Sequence, residues 1–219
     1  YDSVAAAYYT FYNAGFPLDG IIHIRTSIGL LETTEYVEEI AEDMGIPLYV
    51  ADERPEKDEF AYRIEDYGFP GANPKAHRAE WQNQKDKPLQ RWLSGNTGDG
   101  DTLLISGATR EESDARFEKV NADGIEVKDG HLYASPLASW TGTDVKEFID
   151  EQGIPRSDVV DKLNHSGDCL CGAYADRQIE LGVIDEEWPY LRTYIQSLEA
   201  RVIDAARNGE MKKADYEEY

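Results

Sequence analysis

The chain opens on a helical spacing of apolar residues. Val4, Tyr8, Phe11 and Tyr12 fall on one face, with Gly15 as the stop. The run Ile21-Ile22-His23-Ile24 then predicts a buried strand. A second helix carries Tyr36, Val37, Ile40, Ala41 and Met44 up to Gly45, and residues 47–51 predict a second strand. Asn73-Pro74 reads as an N-cap with proline at the first helical position, opening a helix through Trp81, Leu89, Trp92 and Leu93. Residues 102–106 predict a third strand, and residues 120–134 a hairpin turning at Asp129-Gly130. Thr141-Gly142-Thr143-Asp144 caps an amphipathic helix ending at Gly153, and a last helix runs from about Trp188 to Ala206. Strands alternating with helices predict βαβ units and an α/β fold with a parallel sheet.

A chain of 219 residues supports one core, or one α/β domain with a small appendage. We expect a nucleotide-binding α/β domain over 1–160 and a C-terminal cysteine-containing loop and helix over 161–219, packed on the same domain. No run of eighteen apolar residues occurs and the first residues lack a signal-peptide pattern, so a soluble, cytoplasmic protein with no membrane partner is expected.

Forty-four acidic residues against twenty-two basic ones give a net charge of −22. Such a surface is tolerable where salt screens it, so a salt-loving source, a halophilic archaeon or its virus, is the simplest expectation. The charge weighs against nucleic acid as a partner, because that affinity comes from neutralising phosphates. Against this background, residues 73–93 carry Lys75, Arg78, Lys85, Lys87 and Arg91 with only Glu80 and Asp86. A basic island of this kind suits a multiply charged anion, with pairing to the acidic surface as the alternative.

Ligands of open parallel sheets bind beyond the carboxyl ends of the strands, so the loops there hold the candidate chemistry. Tyr1-Asp2-Ser3 runs directly into a helix, where backbone N–H groups hold phosphate in many proteins; a simple N-cap is the alternative. Thr26-Ser27-Ile28-Gly29 follows the first strand and leads to Glu32-Thr33-Thr34. Ser106-Gly107-Ala108-Thr109-Arg110 follows the third strand. Arg110 can grip phosphate or sulfate oxygens in a fork, with Ser113 and Arg116 on or near one helical face; a solvated charged helix is the alternative.

His165, Cys169 and Cys171 lie within seven residues. One imidazole and two thiols suit zinc if a fourth ligand comes from elsewhere. Two cysteines cannot hold a four-cysteine iron–sulfur cluster within one chain. A redox role and a structural loop remain open for Cys169 and Cys171.

In this order, the elements resemble the phosphoadenosine phosphosulfate reductase family of adenine-nucleotide α-hydrolases (the PP-loop superfamily), from Asp2 to about Pro189. Asp2-Ser3 matches the end of the family's Ser-Gly-Gly-x-Asp-Ser loop, which places the expected start of the chain just inside that loop. Residues 23–37 resemble its strand-turn-helix, departing at Arg25 and Ser27. Residues 106–116 resemble its Ser-Gly-x-Arg-x-x-Glu-Ser-x-x-Arg element. The Pro-Lys-x-His and Lys-x-Lys-Pro-Leu-x-Arg elements of the basic island resemble its substrate-binding stretch, and residues 135–145 its Pro-Ile-x-x-Trp-Thr-x-x-Asp-Val element.

The resemblance implies a Rossmann-like sheet with flanking helices and a C-terminal helical segment bearing the cysteines. It implies an adenine nucleotide held by Asp2, Ser3, Thr26, Gly29, Lys75, Lys87, Arg91, Gly107, Arg110, Ser113 and Arg116. A reductase or sulfotransferase would act on adenylyl sulfate or its 3′-phosphate, with Cys169 or Cys171 as nucleophile and a thiol-reductant protein as partner. The family's C-terminal Glu-Cys-Gly nucleophile is missing here. An ATP-pyrophosphatase using Mg²⁺ to adenylate an acceptor, and a non-catalytic nucleotide-binding subunit, are the alternatives; homo-oligomers are compatible with each.

Overall fold

The computed structural model describes residues 1–52, 59–71, 74–97, 102–111, 123–128, 130–172 and 176–212. Its first helix, α1 (Asp2–Tyr8), runs into a π-helical turn over Tyr9–Asn13 that ends before Gly15, whose φ is +66°. Strand β1 (Ile21–Arg25), helix α2 (Leu31–Met44) and strand β2 (Leu48–Asp52) follow as the pattern predicts. The two strands pair, and Ile21 N–H donates to Pro47 O at 2.9 Å where both begin. They therefore run parallel, joined by α2 as a βαβ unit.

Helix α3 (Glu59–Tyr67) had no sequence expectation. The helix expected from Asn73-Pro74 forms, but in three parts: α4 (Pro74–Trp81), a π-helical turn over Gln82–Asp86, and α5 (Lys87–Asn96). Strand β3 (Leu103–Ile105) is parallel to β5 (His131–Ala134), while β4 (Ile125–Lys128) is antiparallel to β5 in the expected hairpin. The α/β class and its parallel pairing hold, with an antiparallel strand added at the β4 edge.

Helix α6 (Gly142–Gln152) starts at a capping box: Thr141 Oγ1 accepts from Asp144 N–H, and the Asp144 carboxylate accepts from Thr141 N–H. It ends at Gly153, whose φ of +63° favours glycine. Helices α7 (Asp158–Leu163), α8 (Arg177–Glu187) and α9 (Pro189–Asn208) complete the C-terminal helical segment. Pro189 opens α9 where a missing N–H costs no helical bond. Among the described residues, no helix is long and apolar enough to cross a membrane.

The chain divides into two compact units, each with its own core. The first comprises residues 1–21, 36–49 and 93–157. There Ala5, Ala6 and Tyr8 of α1 pack with Ile40 and Met44 of α2, Leu137, and Val145, Phe148 and Ile149 of α6. Trp140 joins this core as the family resemblance implies, edge-on to Tyr9 and Phe148 at 5.4 and 5.3 Å between ring centroids.

The second unit comprises residues 22–35, 50–92 and 158–219. Its core gathers Ile28, Leu30, Phe60, Ile64, Leu170, Cys171, Ile184, Leu191, Ile195 and Leu198. Each large apolar side chain buried in this way contributes roughly 1.5–3 kcal/mol before conformational entropy is counted. Leu170 and Cys171 lie in this core, so the cysteine loop is anchored by packing rather than trailing in solvent.

Candidate functional site

In the first unit, the loop after β3 meets the start of α1. Ser106 N–H donates to Ala134 O at 2.8 Å, and Ser106 Oγ accepts from Ala108 N–H at 3.2 Å, which holds the chain on either side of Gly107. A Cβ on Gly107 would lie 2.3 Å from Ser3 N and 2.4 Å from Asp2 C. Only glycine lets these two backbones approach so closely. Asp2, Ser3 and Gly107, separated by a hundred residues of chain, therefore lie in direct backbone contact. Arg110 follows in a bend, fixed by Arg110 N–H donating to Ala138 O at 3.0 Å. Ser113 and Arg116 lie outside the described residues.

In the second unit, residues 26–33 are laced to residues 166–170. Leu30 N–H donates to Gly167 O at 3.0 Å, Leu170 N–H to Ile28 O at 3.1 Å, and Thr33 Oγ1 to Ser166 O at 2.7 Å. Thr26 Oγ1 donates to Asp168 O as well. Gly29 is required by space, since a Cβ there would lie 2.6 Å from Asp168 O. The candidate residues Thr26 and Gly29 thus hold the cysteine loop through their hydroxyl and their missing side chain.

The π-helical turn between α4 and α5 aims two side chains at that loop; such turns widen the helix and are frequent at functional sites. Lys85 Nζ lies 3.5 Å from Asp168 Oδ2, which also accepts from Ser166 Oγ at 2.8 Å. Gln84, fully buried, donates from Nε2 to Glu80 Oε2 at 3.0 Å and to Cys169 Sγ at 3.7 Å. Glu80 is forked by Arg63 at 2.7 and 2.9 Å. The Cys169 thiol is pushed well up by its hydrogen bond with Cys171 and by burial, against the pull of the Lys85 charge. It therefore rests protonated.

Of the basic island, Lys75 and Lys87 are exposed, Lys87 bonding Asn83 Oδ1 at 2.6 Å, while Arg91 donates to Asp52 O at 3.5 Å. Arg25, the departure from the family pattern, forks Asp52 at 2.8 and 2.9 Å beyond the ends of β1 and β2. His23 on β1 is buried against Thr34 Oγ1 at 3.1 Å, and burial lowers its pKa.

The expected metal trio does not assemble. His165 Nδ1 accepts from Gly167 N–H at 3.2 Å, and its Nε2 faces Glu180 Oε1 at 3.3 Å. Glu180 is also held by Arg177 at 2.9 Å, and these partners outweigh the burial that would raise its carboxyl. Among the described residues, no group of three or more His, Cys, Asp or Glu side chains is placed to hold a metal ion. Zinc thus finds no assembled ligand set among the described residues.

Sequence reasoning missed His23, Gln84, Asp168 and the Arg63–Glu80 pair as neighbours of this site. Lys85 stood out only as one charge of the basic island.

The family model described as the phosphoadenosine phosphosulfate reductase domain matches residues 3–171. The chain belongs to that family. The match begins at Ser3, against Gly107, and ends on Cys171. Among solved structures, the crystal structure of phosphoadenylyl-sulfate reductase from Candida auris, a phosphate complex, is similar at 18% identity and a TM-score of 0.47, covering 72% of this chain and 83% of that one. No curated protein matches.

Proposed function

We propose that the chain is a nucleotide-binding enzyme of this reductase family, acting on the sulfate group of adenylyl sulfate or of its 3′-phosphorylated form. The observation that carries this reading is the contact of Gly107 with the Asp2–Ser3 peptide. It sets the backbone that follows β3 against the start of a helix, where N–H groups and the helix dipole favour an anion. Arg110 supplies a guanidinium suited to phosphate or sulfate oxygens, and the family resemblance adds Ser113 and Arg116.

In this reading Cys169 is the nucleophile. It is the less buried of the two thiols, and Gln84 and Lys85 favour its thiolate once its proton has left. The thiolate attacks the sulfate sulfur, the sulfur–oxygen bond to the nucleotide breaks, and the nucleotide leaves with that electron pair on its phosphate oxygen. Cys171, losing its proton, then attacks the Cys169 sulfur and sulfite leaves with the bonding pair. Two thiols become one disulfide, and a thiol-reductant protein would return them to the dithiol.

A second reading is favoured by one observation, the protonated resting state of Cys169 beside the burial of Cys171. An ATP-pyrophosphatase that adenylates an acceptor needs neither. Mg²⁺ takes one or two carboxylates beside the substrate's phosphates, and Asp2 would supply one. Incubating the protein with each nucleotide and following sulfite, pyrophosphate and AMP separates the two. Sulfite from adenylyl sulfate or its 3′-phosphate, lost in Cys169→Ser, supports the reductase. Pyrophosphate from ATP with no sulfite from either sulfated nucleotide overturns it.

A further inference from the structure

We propose that Cys169 and Cys171 form a reversible intramolecular disulfide, and that closing this ring loosens the strip of residues 26–33 laced to the cysteine loop. Neither cysteine is in a disulfide, and the two lie one residue apart and hydrogen-bond to each other. The single residue between them is Leu170, fully buried, and its N–H donates to Ile28 O at 3.1 Å. A disulfide brings its two Cα atoms to about 5.5 Å, against roughly 6.6 Å for two residues of extended chain. A ring closed over one residue therefore bends the backbone at Leu170.

The bend is felt directly by residues 26–33. Leu30 N–H, Thr33 Oγ1 and Thr26 Oγ1 all donate to carbonyls of residues 166–168, on the near side of the ring. Gly29 and Gly167 leave no slack to absorb a shift. A Cβ on Gly29 would meet Asp168 O at 2.6 Å, and one on Gly167 would meet Val159 at 2.7 Å. Closely packed contacts of this kind transmit a backbone change rather than damp it. The oxidised form exposes amides that the reduced form protects.

The oxidant is a disulfide, of a small molecule or of a protein. Cys169 loses its proton and attacks one sulfur of that disulfide, and the other sulfur leaves as a thiolate with the bonding pair. Cys171 then loses its proton, attacks the Cys169 sulfur and expels the remaining thiolate. The two released protons return to the two expelled thiolates, so two electrons pass from the dithiol to the disulfide.

The family resemblance implies that Thr26 and Gly29 bind the nucleotide, and on that reading the redox state of the pair also sets nucleotide affinity. The test uses the whole chain, reduced and then exposed to oxidised glutathione, with intact mass and amide hydrogen exchange as readouts. We expect loss of two hydrogens and exchange at residues 26–33 faster by about tenfold or more, both reversed by dithiothreitol. Thiols that stay free, a glutathione adduct that does not resolve, or a disulfide with unchanged exchange would overturn the proposal. Cys171→Ser cannot close the ring and should keep the reduced exchange rate; acceleration in this variant also overturns it. Adenylyl sulfate binding to both forms is a separate arm. Weaker binding to the oxidised form joins the switch to the nucleotide loop, whereas binding to neither form defeats the nucleotide reading and leaves the exchange result to decide the switch.

Discussion

Replacing Gly107 by alanine tests the contact on which the nucleotide reading stands. The added Cβ would lie 2.3 Å from Ser3 N and 2.4 Å from Asp2 C, both backbone atoms that cannot rotate aside. Ordinary contact begins near 3.4 Å, so the start of α1 and the loop after β3 must part by about 1 Å. Overpacking of this kind costs roughly 1–3 kcal/mol of stability. Nucleotide affinity should fall as well, by roughly 1.5–3 kcal/mol for each charge-assisted hydrogen bond that the displacement breaks. Titration calorimetry with adenylyl sulfate and ATP, alongside thermal unfolding, reads both quantities. A Gly107→Ala protein with unchanged melting temperature and unchanged affinity for both nucleotides would refute the close approach and the cradle built on it.

Arg110→Ala should weaken nucleotide binding by roughly 1.5–3 kcal/mol, the value of a charge-assisted bond, with the fold intact; unchanged calorimetric affinity removes Arg110 from the site. Glu80→Ala leaves the Arg63 guanidinium and the Gln84 amide without their shared carboxylate. The variant should lose about 3 kcal/mol in urea unfolding, the cost of breaking a nearly buried ion pair, and a loss below about 1 kcal/mol would refute that pairing. Burial lowers the pKa of His23 beneath its ordinary value of 6.5, so the unfolded chain takes up this proton before the folded one does. Its contribution to stability is present above that value and declines as pH falls through 6.5 towards the lower folded pKa. His23→Gln should flatten this part of the stability profile, and an unaltered slope would count against the buried neutral imidazole.

Much of the fold was legible along the chain because its signals are local. The period of apolar residues marks β1, α2 and β2, Asp129-Gly130 marks the hairpin, and the Thr141–Asp144 box marks the start of α6. Asp2, Ser3, Gly107 and Arg110 were picked out by motif, and family membership follows from the same order of elements. Helix α3 was missed, although Phe60, Ala61 and Ile64 are fully buried on one helical face.

Three features were decided only by tertiary structure. The π-helical turn at Gln82–Asp86 adds no residue type that betrays it, yet it brings Gln84 to Cys169 and Lys85 to Asp168. Gly107 is glycine because of the Asp2–Ser3 peptide, a hundred residues away, and not because of any turn of its own. The lacing of residues 26–33 to residues 166–170 joins segments separated by more than 130 residues. Local pattern records how a segment curls and which face it buries; it carries no record of which distant carbonyl a threonine hydroxyl will reach. That choice belongs to packing, which took His165 out of the expected metal trio by setting its ring between Gly167 and Glu180.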